Sequence, residues 1–215
     1  MNQLIFKFKQ KLKKTPIFFA VVYFRRVTRG YGDLIRRVEE NKYEYSPTHD
    51  LIKKVQSVND IKIFVETGTF IGNTLIGLHQ YFQKLYSIEL DKGIYRLAKK
   101  RLLEYTNVEI VHGDSAKQLP RILNSISEPA IFWLDAHYSS GVTGLGELQT
   151  PVMRELKSIF DHPVKKHHIL IDDVKDFNGL NDYPTVDEIL NFISKYGNGL
   201  YVGRVEGQVF VVEPC

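Results

Sequence analysis

Residues 63–72 read Ile63-Phe64-Val65-Glu66-Thr67-Gly68-Thr69-Phe70-Ile71-Gly72, and this stretch decides the fold. Its β-branched and aromatic start predicts a buried strand. The run stops at an acid. Two glycines four residues apart then permit a tight turn and close backbone approach to a ligand. A strand that passes through such a turn into a helical pattern opens a βα unit.

Working outward, the same alternation continues from Asp60 onward. Strand Ile61–Val65 precedes helix Thr74–Phe82, Leu85–Glu89 precedes Lys92–Glu104, and Val108–Val111 precedes Ala116–Ile126. Ala130–Leu134 precedes a loop and helix within Gly146–Phe160, and His168–Ile171 precedes Thr185–Tyr196. This order predicts a parallel sheet with helices on both faces. The end breaks the pattern, because only Glu206-Gly207 separates Leu200–Val205 from Gln208–Val212. So short a link makes an antiparallel hairpin, not a crossover. The expected fold is α/β, a doubly wound, mostly parallel seven-stranded sheet closed by an antiparallel C-terminal hairpin. It spans residues 51–215, after a basic arm and linker over residues 1–50.

The chain has 215 residues, enough for a full hydrophobic core. Its one cysteine, Cys215, excludes an internal disulfide and argues against a thiolate zinc site. The net charge of +4 is unevenly spread. Lys7, Lys9, Lys11, Lys13, Lys14, Arg25, Arg26 and Arg29 all precede the first acid, Asp33, so the remainder is net negative. A basic face on the body is therefore not expected, nor is nucleic-acid binding. Leu4, Ile5, Phe8 and Leu12 share one helical face in the arm. The apolar run Ile17–Phe24 falls short of the roughly 20 residues that span a bilayer, and no small-residue cleavage site follows it. Two readings stay open. Residues 1–30 contact an anionic membrane surface or a partner, or they pack on the domain. The expected location is cytoplasmic, with peripheral contact at the inner membrane surface on the first reading.

Five βα units closed by a hairpin resemble the class I methyltransferases, which use S-adenosylmethionine (SAM). The resemblance runs from about residue 51 to the end. It places Glu66, Gly68, Thr69 and Gly72 at the cofactor. The spacing Gly-x-x-x-Gly differs from the Gly-x-Gly-x-x-Gly of dinucleotide enzymes. A carboxylate at Glu66 would repel a pyrophosphate and attract the ammonium and sulfonium of SAM. Glu89, ending the second strand, is suited to the ribose hydroxyls, with Asp91 as a helix cap. In the family, an Asp after the third strand receives the adenine amino group. Asp114 matches it, with Ser115 beside it.

Two further strand ends carry acids, in Leu134-Asp135-Ala136-His137 and Ile171-Asp172-Asp173. Carboxylates converging on one edge repel each other and need a proton, a basic side chain or a cation. This arrangement resembles the metal-dependent O-methyltransferases, the catechol type among them. That resemblance implies Asp135, Asp172 and Asp173 as ligands for magnesium or another divalent cation. The lysine base of that group is replaced here by Tyr138, so His137, with Asp135, is the catalytic candidate. His167 and His168 start a strand at the opposite edge and are read as structural. Three glycines between Ser139 and Gly146 predict a mobile loop beside the site.

The expected reaction is O-methylation of a small molecule or glycan. One rival is an NAD-dependent oxidoreductase or sugar epimerase, which lacks its glycine fingerprint here. The other is a non-catalytic module that keeps the fold and acts through its basic arm.

Overall fold

The computed structural model describes residues 30–40, 43–136, 150–180 and 182–215. Most of the basic arm, His137 and the glycine-rich segment after it lie outside the described residues. Residues 30–39 form helix α1, in a unit distinct from the main body, which starts at Tyr43. Among the described residues no helix is long and apolar enough to cross a membrane.

Within the body the segment read as a link already carries structure. Helix α2, Pro47–Asn59, is capped by the Ser46 side chain and has proline in its first turn, where no N–H is missed. Strand β1, Ile63–Thr67, is buried along its whole length and leads through the glycine turn to α3, Asn73–Leu78. The chain continues through β2, Lys84–Glu89, α4, Lys92–Arg101, β3, Val108–His112, and α5, Ser115–Leu123. It ends with β4, Ala130–Leu134, α6, Val152–Asp161, β5, His168–Ile171, α7, Val186–Tyr196, β6, Tyr201–Glu206, and β7, Val209–Pro214. The Thr74–Phe82 expectation splits: the helix gives way after Leu78 to a tighter turn over His79–Tyr81.

The sheet order is β3-β2-β1-β4-β5-β7-β6. β1 pairs in parallel with β2 on one side and β4 on the other, so the strand order reverses beside it. β7 runs antiparallel to both β5 and β6. The hairpin turn sits one residue later than expected. Glu206 pairs with Val209, so Gly207 and Gln208 form the turn, and Gly207 takes a positive φ of 63°.

Alternate residues of each strand feed two apolar layers. Phe64, Leu85, Ile131, Trp133 and Leu170 meet Ile52, Leu75, Leu78 and Leu102 from α2, α3 and the end of α4. Val65, Phe132, Leu134 and Ile169 meet Leu119, Leu156, Ile159 and Ile189 from α5, α6 and α7. Strands buried on both faces carry continuous apolar runs, which is why the sequence read so clearly there.

Candidate functional site

The parallel strands β1 to β5 all end at one edge, and the reversal of order beside β1 leaves a crevice there. Adjacent residues at the end of β1 point to opposite faces of the sheet. Glu66, 1% exposed, turns to one side. Its carboxylate accepts a 2.6 Å hydrogen bond from the Ser87 hydroxyl and another from Thr74. Ser87 in turn lies 2.6 Å from the Thr69 hydroxyl, which donates to it because the Ser87 proton is already committed. Burial pushes Glu66 up to about 8, against the opposing hydroxyl bonds.

The turn after β1 spends its amides internally. The N–H groups of Gly68 and Thr69 both donate to the Ile88 carbonyl, and that of Gly72 donates to the Thr69 carbonyl. The Phe70 N–H donates to Glu89 Oε2 at 2.8 Å. Glu89 Oε1 accepts from the Asp91 N–H, and Asp91 caps α4 as expected. Burial pushes Glu89 up to about 7. A phosphate cradle needs free N–H groups aimed at the ligand. Here four of the turn's amides are taken and two buried carboxyls lie beside it.

Gly68 serves the protein before any ligand. A β-carbon there would sit 2.5 Å from the Asp135 carbonyl oxygen, and its φ is +90°. The glycine lets the turn pack on the end of β4. Gly72, at φ +79°, similarly makes room for Leu102.

Thr67 turns to the other face, where a second polar cluster lies. Its hydroxyl oxygen accepts the Asp135 N–H at 3.3 Å. Asp114 caps α5 through the Ala116 N–H. Ser115 is buried, and its hydroxyl and that of Thr67 lie close enough to Glu155 of α6 to favour its charged form. Burial pushes Glu155 up to about 7, with Asp114 and Asp135 adding to the rise.

These crevice features occur on a fold with many solved relatives. The chain aligns with the O-methyltransferase from Bacillus cereus in complex with S-adenosylhomocysteine (SAH), TM-score 0.53, 15% identity, over 84% of this chain and 89% of that one. It aligns with the O-methyltransferase TomG from Streptomyces achromogenes in complex with SAM, TM-score 0.55, 15% identity, over 84% and 88%. An SAH-bound methyltransferase from Podospora anserina matches over 99% of this chain and 96% of its own, TM-score 0.56, 11% identity. The fold is that of the class I methyltransferases. In sequence, the chain is 24% identical over 158 residues to the ribosomal RNA small subunit methyltransferase A of Syntrophus aciditrophicus (strain SB), covering 65% of this chain. It spans 56% of that relative's length. No protein-family model matches the chain.

On this methyltransferase fold the expected metal set does not assemble. Among the described residues no three His, Cys, Asp or Glu side chains are grouped to hold a metal ion. Asp172 Oδ1 accepts the Asp173 N–H at 2.8 Å. Asp173 takes a left-handed backbone conformation and pairs with Lys175 at 2.9 Å. The charge that a cation was expected to offset is met at Asp173 by a basic side chain. The catalytic candidate His137 lies outside the described residues.

Two residues that hold the crevice were not anticipated. Glu155 is one. The other is Arg101, at the end of α4, whose guanidinium donates to the Ile71 carbonyl at 2.9 Å and to Asn73 Oδ1 at 2.7 Å. It ties the turn after β1 to the neighbouring helix.

At the far edge His167 sits in a buried hydrogen-bonded relay. His167 Nδ1 accepts the Ala130 N–H, so its Nε2 carries the proton and donates to His162 Nδ1 at 3.0 Å. His162 Nε2 then donates to the Leu123 carbonyl. Burial and the neighbouring His162 lower His167 to about 4, which keeps it neutral. His162→Ala should cost about 2–3 kcal/mol, because it strands a buried N–H and opens a cavity. Thermal denaturation at pH 8 checks this; an unchanged melting temperature would remove the relay from the account.

Proposed function

We propose that this chain is a SAM-dependent methyltransferase acting on a hydroxyl of a small molecule or glycan. The observation that carries the reading is the turn after β1, whose amides are spent internally beside buried Glu66 and Glu89. Such a turn disfavours a pyrophosphate and favours a cationic ligand. The similar structures solved with SAM and SAH support the same assignment. Glu89 is suited to the ribose and Asp114 to the adenine amino group.

SAM, when bound, supplies an electrophilic methyl carried on a sulfonium. The residues of this chain supply position and charge. When SAM binds, its positive charge would favour the ionised form of Glu66 beneath the turn, while Asp114 and Glu89 would hold the nucleoside half. The hydroxyl proton of the acceptor passes to a base at the end of β4, where Asp135 and His137 are the candidates. An open depression of about 520 Å³ lined in part by Met153, Tyr183, Glu188, Phe192 and Lys195 is the candidate acceptor site. Burial and the charges of Asp176, Asp173 and Asp135 push the Tyr183 hydroxyl up to about 12, so it stays a hydrogen-bond donor. Among the described residues Asp135, Asp172 and Asp173 form no group that could hold a divalent cation.

Calorimetric titration with SAM, NAD and magnesium tests the reading. SAM should bind at micromolar concentration, NAD should give no heat, and magnesium should neither bind at millimolar concentration nor alter SAM affinity. NAD binding tighter than SAM would overturn the assignment, and magnesium-dependent SAM binding would restore the metal version.

A further inference from the structure

Glu155 has no part in the chemistry above, yet it is 1% exposed and sits in the first turn of α6. The hydroxyls of Thr67 and Ser115, which belong to different elements, lie close enough to its carboxylate to favour the charged form. Ser115 follows Asp114 directly at the start of α5, and Thr67 ends β1 while receiving the Asp135 N–H. One carboxyl group thus joins β1, the turn after β3 and, through Thr67, the end of β4. Its other oxygen, Oε1, is buried with no hydrogen-bond partner. A buried acid left half-satisfied is costly, and a simple packing role would be filled better by an apolar residue.

We propose that Glu155 is a positioning residue of the cofactor site, holding the Asp114–Ser115 turn and the end of β1 in one geometry for the adenosine half of the ligand. The proposal rests on the SAM reading above. It explains why an acid stands on the buried face of α6: two hydroxyls from separate elements need one acceptor that reaches both. It also explains the burial of Ser115, which orients Asp114 without touching the ligand itself.

The test titrates SAH and adenosine into the wild type, Glu155→Ala, Glu155→Gln, Ser115→Ala and the Glu155→Ala/Ser115→Ala double variant. Glu155→Ala should weaken both ligands by the same factor, about ten-fold or more, because the fault lies on the side they share. Glu155→Gln keeps an oxygen for the two hydroxyls and should stay within about three-fold of the wild type. Ser115→Ala should weaken binding alone and add little to Glu155→Ala, since the link is already cut. A Glu155→Ala protein that melts earlier but binds both ligands like the wild type has lost only stability, and that overturns the proposal. Fully additive losses overturn it too. If Glu155→Ala does not fold, Ser115→Ala and Glu155→Gln decide: wild-type affinity in the first, or a large loss in the second, overturns the proposal. A wild-type protein that binds neither ligand overturns the SAM reading instead.

Discussion

Glu66→Gln should lower SAM affinity about a hundred-fold and, at pH 8.5, raise the melting temperature of the free protein. The loss follows from charge: two unit charges about 6 Å apart attract by about 3 kcal/mol at an effective dielectric near 20. The gain follows from burial. The Glu66 carboxyl is pushed from its ordinary 4.5 to about 8 by burial, so the folded state holds its proton where the unfolded state has lost it. A raised acid contributes stability at low pH that declines as pH climbs from about 4.5 through about 8. Glutamine still accepts the Ser87 and Thr74 hydroxyls but has no charge to bury. A gain of about 2 kcal/mol above pH 8 would lift melting by roughly 6 °C. The pH profile of binding separates these effects. A cation favours the ionised acid, so wild-type affinity for SAM should rise about ten-fold from pH 6 to pH 7.5. The variant should lose most of that slope, keeping what Glu89 and Glu155 supply at about 7. Calorimetry across pH checks both halves. Wild-type affinity and slope in the variant would show that Glu66 exerts no field on the ligand.

Gly68→Ala should do the greatest damage of any single methyl group added to the turn. The new carbon would meet the Asp135 carbonyl oxygen at 2.5 Å, and the backbone stands at φ +90°. Neither partner can yield easily, because both belong to strand ends fixed by β1–β4 pairing. Backbone strain and overpacking each cost about 1–3 kcal/mol, so a loss above about 3 kcal/mol and roughly 10 °C is expected. Cofactor binding should vanish with it, since the turn must lift away from β4. Gly72→Ala is the control. Its φ is also positive, but the obstruction is the tip of the Leu102 side chain, which can swing aside. It should cost about half as much. Equal losses in the two variants would mean that strain alone matters and the contact with Asp135 does not.

The sheet was legible because parallel strands buried on both faces leave unbroken apolar runs, and β4 and β5 fall where those runs do. The site was legible wherever an acid closed a strand: Glu66, Glu89, Asp114 and Asp135 all sit at the same edge. What those residues touch was not. Gly68 read as an opening for a ligand, whereas the Asp135 carbonyl fills that space. Asp172 and Asp173 follow the end of β5, and position along the chain carries no information about the Asp173 N–H that Asp172 accepts or about Lys175 beside Asp173. Glu155 and Arg101 escaped notice because a charge on a helix is usually solvated. The sign was present nonetheless. Glu155 lies three residues after Val152 and four before Ile159, and Arg101 lies three after Ala98, so both interrupt an apolar stripe. A charged residue at a stripe position marks a buried polar contact across elements.

The hairpin has a consequence for how the chain is made. β7 lies between β5 and β6, although β6 is synthesised first. β6 has no strand to join until β7 follows it, because β7 is its one neighbour. Until residues 209–214 appear, β5 keeps a bare edge, and Leu170 lacks the cover that Val211 later gives it. A chain that stops at Gly207 therefore leaves that edge of β5 open. A variant truncated after Gly207 should be captured by a chaperone, and the 215-residue chain should not.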